Sequence, residues 1–199
     1  MFKKNKTDIF KNLIKSKKEN KAVSYLKKHK NSILVDSSFR DIQGCTFLTY
    51  SISSHQYKLA VALIENKADV NLEDNLYQLP LMYAFMELLQ GETCYDLINV
   101  IIDKTQDINK RTIFDQTALF FLFDIEHNKK LNYDKNFENL IISLIKKGAD
   151  FNLKNKANET IWDIAQRENE TMYKVVSAIY EKEKLSIFNK KNKIGNKIL

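Results

Sequence analysis

Leu144-Ile145-Lys146-Lys147-Gly148-Ala149-Asp150-Phe151-Asn152 is the stretch from which the fold can be read. An apolar pair closes a helix. Gly148 stops it, because glycine takes the left-handed conformation of a helix C-terminus without a Cβ clash. Asp150 and Asn152 are short turn residues whose side chains bond to nearby backbone. Thr160-Ile161-Trp162-Asp163-Ile164-Ala165 then opens a new helix, with Thr160 as the N-cap. Helix, tight turn, β-like turn and helix together form one supersecondary unit.

The unit recurs upstream. Leu63-Ile64-Glu65-Asn66-Lys67-Ala68-Asp69-Val70-Asn71 leads to Asp74 and then Pro80-Leu81-Met82-Tyr83-Ala84. A degenerate copy runs Ile101-Ile102-Asp103-Lys104-Thr105-Gln106-Asp107-Ile108-Asn109 and reaches Thr117-Ala118-Leu119. Asp41-Ile42-Gln43-Gly44-Cys45-Thr46-Phe47-Leu48 precedes them all. Asp41 and Asp74 stand 33 residues apart; Thr112 follows after 38 and Asn155 after 43. A fixed period is the signature of a repeat architecture, and 33 is the ankyrin spacing.

The chain therefore resembles an ankyrin-repeat protein over roughly 37–181, with insertions of five and ten residues. Asp41, Gly44, Thr46 and Leu48 match the family's turn-to-helix pattern in the first copy, and Asp74, Pro80, Leu81 and Ala84 in the second. Thr117 and Leu119 match in the third, and Thr160 and Ala165 in the fourth. The resemblance implies an all-α solenoid of stacked helix-turn-helix units with β-like turn tips. The repeats fall at 41–73, 74–111, 112–154 and a cap at 155–181. Residues 1–40 supply N-terminal capping helices and a link, and 182–199 a frayed basic tail. The insertions are placed near Gln90-Gly91-Glu92-Thr93 and in Glu126–Asn136. The turn position of Gly44 is taken by Tyr77, Asp115 and Asn158. Tyrosine resists positive φ, so the turn around Tyr77 is expected to depart from the others.

Composition bounds the function. The net charge of +7 is unevenly spread. Residues 1–30 hold eleven lysines against Asp8 and Glu19, and 182–199 hold six against Glu183, so the body between them is acidic by seven charges. A nucleic-acid reader wants a basic stripe on its folded face, and the repeats offer none. No run of apolar residues is long enough to span a bilayer, and no signal-peptide core follows the basic N-terminus; the expected compartment is the cytoplasm. Cys45 and Cys94 have no metal or redox spacing. Cys45, on a turn, is expected to be the more accessible.

No catalytic constellation is found: there is no Gly-rich phosphate loop, His-Glu-x-x-His or Gly-x-Ser-x-Gly. His29, His55 and His127 are too far apart in sequence for a local ligand pair. No cofactor or metal is expected, and the chain is read as a non-enzyme. What remains is a binding surface. In the ankyrin family partners meet the concave side, built from turn tips and inner helices. Carried over by position, that side here presents Leu76, Tyr77, Gln78, Met86, Glu87, Ile113, Phe114, Gln116, Asp124 and Glu126. Large apolar residues in an acidic rim of Glu87, Asp115, Asp124 and Glu126 suit a protein interface with a hot spot, and imply one dedicated protein partner with a basic face. An immunity or antitoxin-like neutralising protein and a host-directed effector are two versions of this role. The competing reading is an adaptor that meets nucleic acid or an anionic membrane through its basic termini. Oligomeric state is left open, with a monomer as the default.

Overall fold

The computed structural model describes residues 5–39, 43–92, 94–123 and 133–195. It is mostly helical, with ten α-helices and no β-strand among the described residues. The helices are α1 (Lys6–Lys15), α2 (Glu19–His29), α3 (Phe47–Ser53), α4 (Tyr57–Glu65), α5 (Pro80–Leu89), α6 (Tyr95–Lys104), α7 (Ala118–Leu122), α8 (Lys135–Lys146), α9 (Ile161–Glu168) and α10 (Glu170–Gly195).

The helices form two rows. α1, α3, α5 and α7 pack one against the next, as do α2, α4, α6, α8 and α10 on the other side, with α9 held on α10. Apolar spacing explains the faces. In α8, Phe137, Leu140, Ile141, Leu144 and Ile145 recur every three or four residues and are all buried, which makes a stripe toward the core. The stripe in α4 is Leu59, Ala60, Leu63 and Ile64, also buried. α5 is apolar on all sides and sits mid-row: nine of its ten residues are buried, Met86 being the exception. Pro80 opens it at a position where the missing N–H has no helical partner to lose.

The caps follow local chemistry. Thr160 accepts from the Asp163 amide while Asp163 accepts from the Thr160 amide, a capping box at the start of α9. Gly148, at φ +87°, closes α8 with Gly148 N donating to Ile145 O and Ala149 N to Leu144 O. Lys67 stands at the same position after α4 with the same two bonds, at φ +69°. Because a lysine Cβ is strained there and glycine is not, Lys67→Gly is expected to raise stability by about 0.5–1 kcal/mol. Urea melts of the two proteins check this; a lower midpoint in the variant would contradict it.

The turns between helix pairs are the most regular part of the molecule. Asp74 N donates to Gln78 O, Thr112 N to Gln116 O and Asn155 N to Glu159 O, at 3.2, 3.0 and 2.9 Å. In each turn one side-chain oxygen accepts from two backbone amides: Asp74 Oδ1 from Leu76 and Gln78, Thr112 Oγ1 from Phe114 and Gln116, Asn155 Oδ1 from Ala157 and Glu159. Gly44, Tyr77, Asp115 and Asn158 all lie at positive φ, +75°, +58°, +57° and +63°. The expected departure at Tyr77 is thus not found. Its turn keeps the common geometry because five hydrogen bonds around Asp74 outweigh the roughly 1–2 kcal/mol of left-handed strain.

Neighbouring turns are bonded to each other. Asn75 N donates to Gln43 O and Ile113 N to Leu76 O. A second line of contacts runs through the segments after α2, α4, α6 and α8. Asp36 Oδ1 accepts from Asp69 N, Asn71 Oδ1 from Gln106 N and Asn109 Oδ1 from Asp150 N, each at 2.8 Å. Side-chain oxygens thus carry a ladder from one helix pair to the next.

One boundary differs from expectation. α10 does not end near Glu181 but runs to Gly195, so the described part of 182–199 is helix and not a frayed tail. A solvated helix needs no apolar stripe, and 182–194 contain neither glycine nor proline to break it. The link before the first turn is tied to it: Phe39 N donates to Cys45 O and Phe47 N to Ser37 O. The first stretch read as an insertion, from Gln90, falls in the loop between α5 and α6, while most of the second lies outside the described residues.

Candidate functional site

The turn tips place Tyr77 and Phe114 side by side in the row. The bond from Ile113 N to Leu76 O joins the residues just before them. Tyr77 is 53% exposed and Phe114 50%. Leu76, Gln78, Ile113 and Gln116 are half-buried around them. Lys156, from the next turn, sits with its ammonium 6.0 Å from the Phe114 ring centre. Arg111 donates to Lys154 O at 2.9 Å and to Asp115 O at 3.3 Å, linking the third turn to the fourth. The carboxylate of Asp115 also lies 3.9 Å from this guanidinium.

Glu87 and Met86 do not belong to that cluster of tips. They lie toward the other end of α5. Met86 is half-buried, and Glu87 is only 5% exposed. The Glu87 carboxylate lies 3.0 Å from His55 Nδ1, and the Tyr57 hydroxyl donates to it at 3.4 Å. Burial raises the Glu87 carboxyl above its ordinary value, and the neighbouring His55 offsets part of that rise. Glu92 adds a second carboxylate 3.9 Å from His55. The expectation that Glu87 rims an exposed patch is corrected: its charge is turned inward, toward the α3–α4 turn. Asp124 and Glu126 lie outside the described residues. Among the described residues of the expected acidic rim, Asp115 faces Arg111.

A raised carboxyl has a definite pH sign. The folded state holds the Glu87 proton more tightly than the unfolded chain does. The contribution is therefore fully present below the ordinary value of 4.5 and is lost as pH rises through the folded value. Glu87→Gln, which keeps the shape without the charge, is expected to be more stable than the native protein at pH 8, the gap closing toward pH 4. Thermal melts at the two pH values test this. A native protein that is the more stable of the two at pH 8 would show that the His55 contact dominates.

Both cysteines are buried, at 4% exposure each. Cys45 is not the accessible thiol expected from its turn position, because Tyr83 reaches back from the next helix pair and places its hydroxyl 3.3 Å from Cys45 Sγ. Burial, and then the nearby Glu87, pushes the Cys94 thiol up to about 12, which leaves it un-ionised at neutral pH. Among the described residues no group of three His, Cys, Asp or Glu side chains is arranged to hold a metal ion, and no helix is long and apolar enough to cross a membrane.

No protein-family model matches this sequence, and a search of curated proteins returns no match.

The structure therefore brings together Leu76, Tyr77, Gln78, Ile113, Phe114 and Gln116 on one face and sets Met86 and Glu87 apart from them. Arg111 was missed in the sequence because its role depends on the following turn, whereas Lys156 is one of the tip positions that the turn spacing gives. The spacing of the turns carried that signal: Lys156 is the residue after Asn155, as Ile113 is after Thr112.

Proposed function

We propose that the helix pairs are the repeats of a divergent ankyrin solenoid, and that the protein is a non-enzymatic, cytoplasmic binding module for one dedicated protein partner. The reading rests on the tip face. The single observation that carries it is Tyr77, an exposed aromatic residue held at φ +58°. At the matching positions of the other turns stand glycine, aspartate and asparagine, which tolerate that conformation. The hydrogen bonds of the turn offset the backbone strain and leave the ring itself exposed, and a large ring held in a fixed place at the surface suits contact with a partner. Phe114 doubles the apolar area, and paired aromatic anchors ringed by half-buried neighbours suit a hot spot. With Glu87 turned inward and Asp115 beside Arg111, steering toward a basic partner rests on the net acidic charge of the body. A neutralising role and an effector role are both compatible with such a face.

The test is affinity capture from a lysate of the source cells with native bait and with Tyr77→Glu/Phe114→Glu. Both residues are exposed, so the double variant is expected to fold normally. A single protein held in stoichiometric amount by native bait should bind the variant at least 100-fold more weakly, given roughly 2 kcal/mol or more for a hot-spot residue. Equal retention by both baits would remove the tip face from the interface.

A further inference from the structure

Helix α10 presents a second apolar face that the fold does not use. Its inner side is buried through Met172, Val176 and Ile179, and Ile187 still packs on the core. Leu185 and Phe188, three residues apart and so on one face, are 61% and 60% exposed. That face lies roughly opposite Ile187, at about 100° of turn per residue, and so looks away from the body. Lys182 and Lys184 beside it are exposed. Lys190, Lys191 and Lys193 follow in the same helix, and the whole of 182–199 has six lysines against one acid, Glu183. Glu181, one turn before Leu185, is the nearest opposing charge on the outer side.

We infer that this outer face of α10 rests on an anionic lipid bilayer, with Leu185 and Phe188 entering the headgroup boundary and Lys182 and Lys184 meeting acidic headgroups. Charge complementarity selects the occupant. A second copy of the chain, packed through the same face, would set lysines against lysines. A nucleic acid would take the lysines but leave the leucine and phenylalanine in water. A bilayer interface supplies an apolar layer directly beneath negative charge. Neither feature suffices by itself: two side chains are a shallow anchor, and a few lysines hold only at modest salt.

The experiment is flotation of the full chain with vesicles of phosphatidylcholine alone or with three-tenths phosphatidylserine, in 0.1 M salt. Binding is expected to the anionic vesicles and not to the neutral ones. Leu185→Gln/Phe188→Gln and Lys182→Gln/Lys184→Gln should each weaken it roughly tenfold or more. Circular dichroism and melting curves establish that these exposed changes leave the fold intact. The proposal is overturned if anionic vesicles are not bound. It is equally overturned if the apolar variant binds them as the native chain does, or if the native chain is a dimer that this variant makes monomeric. Duplex DNA binding that ignores Leu185 and Phe188, without vesicle binding, would assign the lysines to nucleic acid instead. The Tyr77→Glu/Phe114→Glu variant should float as the native chain does, so this result and the partner test stand or fall separately.

Discussion

Phe85→Ala is expected to lower stability by about 3–5 kcal/mol. The ring is fully buried in α5, the helix that touches α3, α6 and α7. Removing it leaves a void that the neighbours have little freedom to fill. Their turns are fixed to one another by the bonds from Asn75 to Gln43 and from Ile113 to Leu76. Domains of this size are typically stable by only about 5–15 kcal/mol, so the loss takes a fifth or more of the total. Urea unfolding of purified protein measures it, with Phe114→Ala as the control on an exposed ring and an expected change within about 1 kcal/mol. A Phe85→Ala loss below 1 kcal/mol would mean that α5 is not the packing centre of the row.

The second large effect belongs to Asp74, which is 5% exposed. One oxygen takes the amides of Leu76 and Gln78, and the other takes the Tyr83 hydroxyl at 2.6 Å. Burial and this bond raise the Tyr83 phenol well above its usual range. Asp74→Ala strands three donors at once and is expected to cost about 3 kcal/mol. Asp74→Asn should cost only about 1 kcal/mol, because Asn155 already does the same work in its turn through Oδ1 and the Tyr83 hydroxyl keeps Cys45 as a weak acceptor. The ordering of the two variants is the decisive measurement. Equal losses would show that the charge, and not the amide bonding of the turn, is what the fold requires.

What could be read in the sequence was local. The positions of Asp74, Thr112 and Asn155, the stop at Gly148 and the cap at Thr160 follow from backbone needs that a few neighbouring residues satisfy. The tip face was legible for the same reason, since Tyr77 and Phe114 occupy fixed places in a repeated turn. The misreadings were made across the row. Cys45 is covered by a tyrosine 38 residues away, and Glu87 is drawn inward by a histidine 32 residues before it. The Asp and Asn side chains of 69–71, 107–109 and 150–152 were seen as turn formers. Their bonds to the adjacent pair could not be seen, because the partner amides belong to other copies. The length of α10 was missed because an apolar stripe reports packing, not helix formation.

The two lines of bonding have a consequence for how the chain could be edited. Every link they make is between one helix pair and the next, through positions that recur to within one residue, Gln106 standing just before the place that Asp69 and Asp150 hold. If 74–111 were excised, the amide of Ile113 would meet the carbonyl of Gln43, which now serves Asn75, and the amide of Asp150 would meet the oxygen of Asn71, which now serves Gln106. The joints left open on either side of the cut are chemically the same joint. In its backbone joints the chain is thus divisible in whole modules, and a shorter or longer version could close up its turns with the same kind of bond, while the packing of α3 on α7 and of α4 on α8 would have to be made anew.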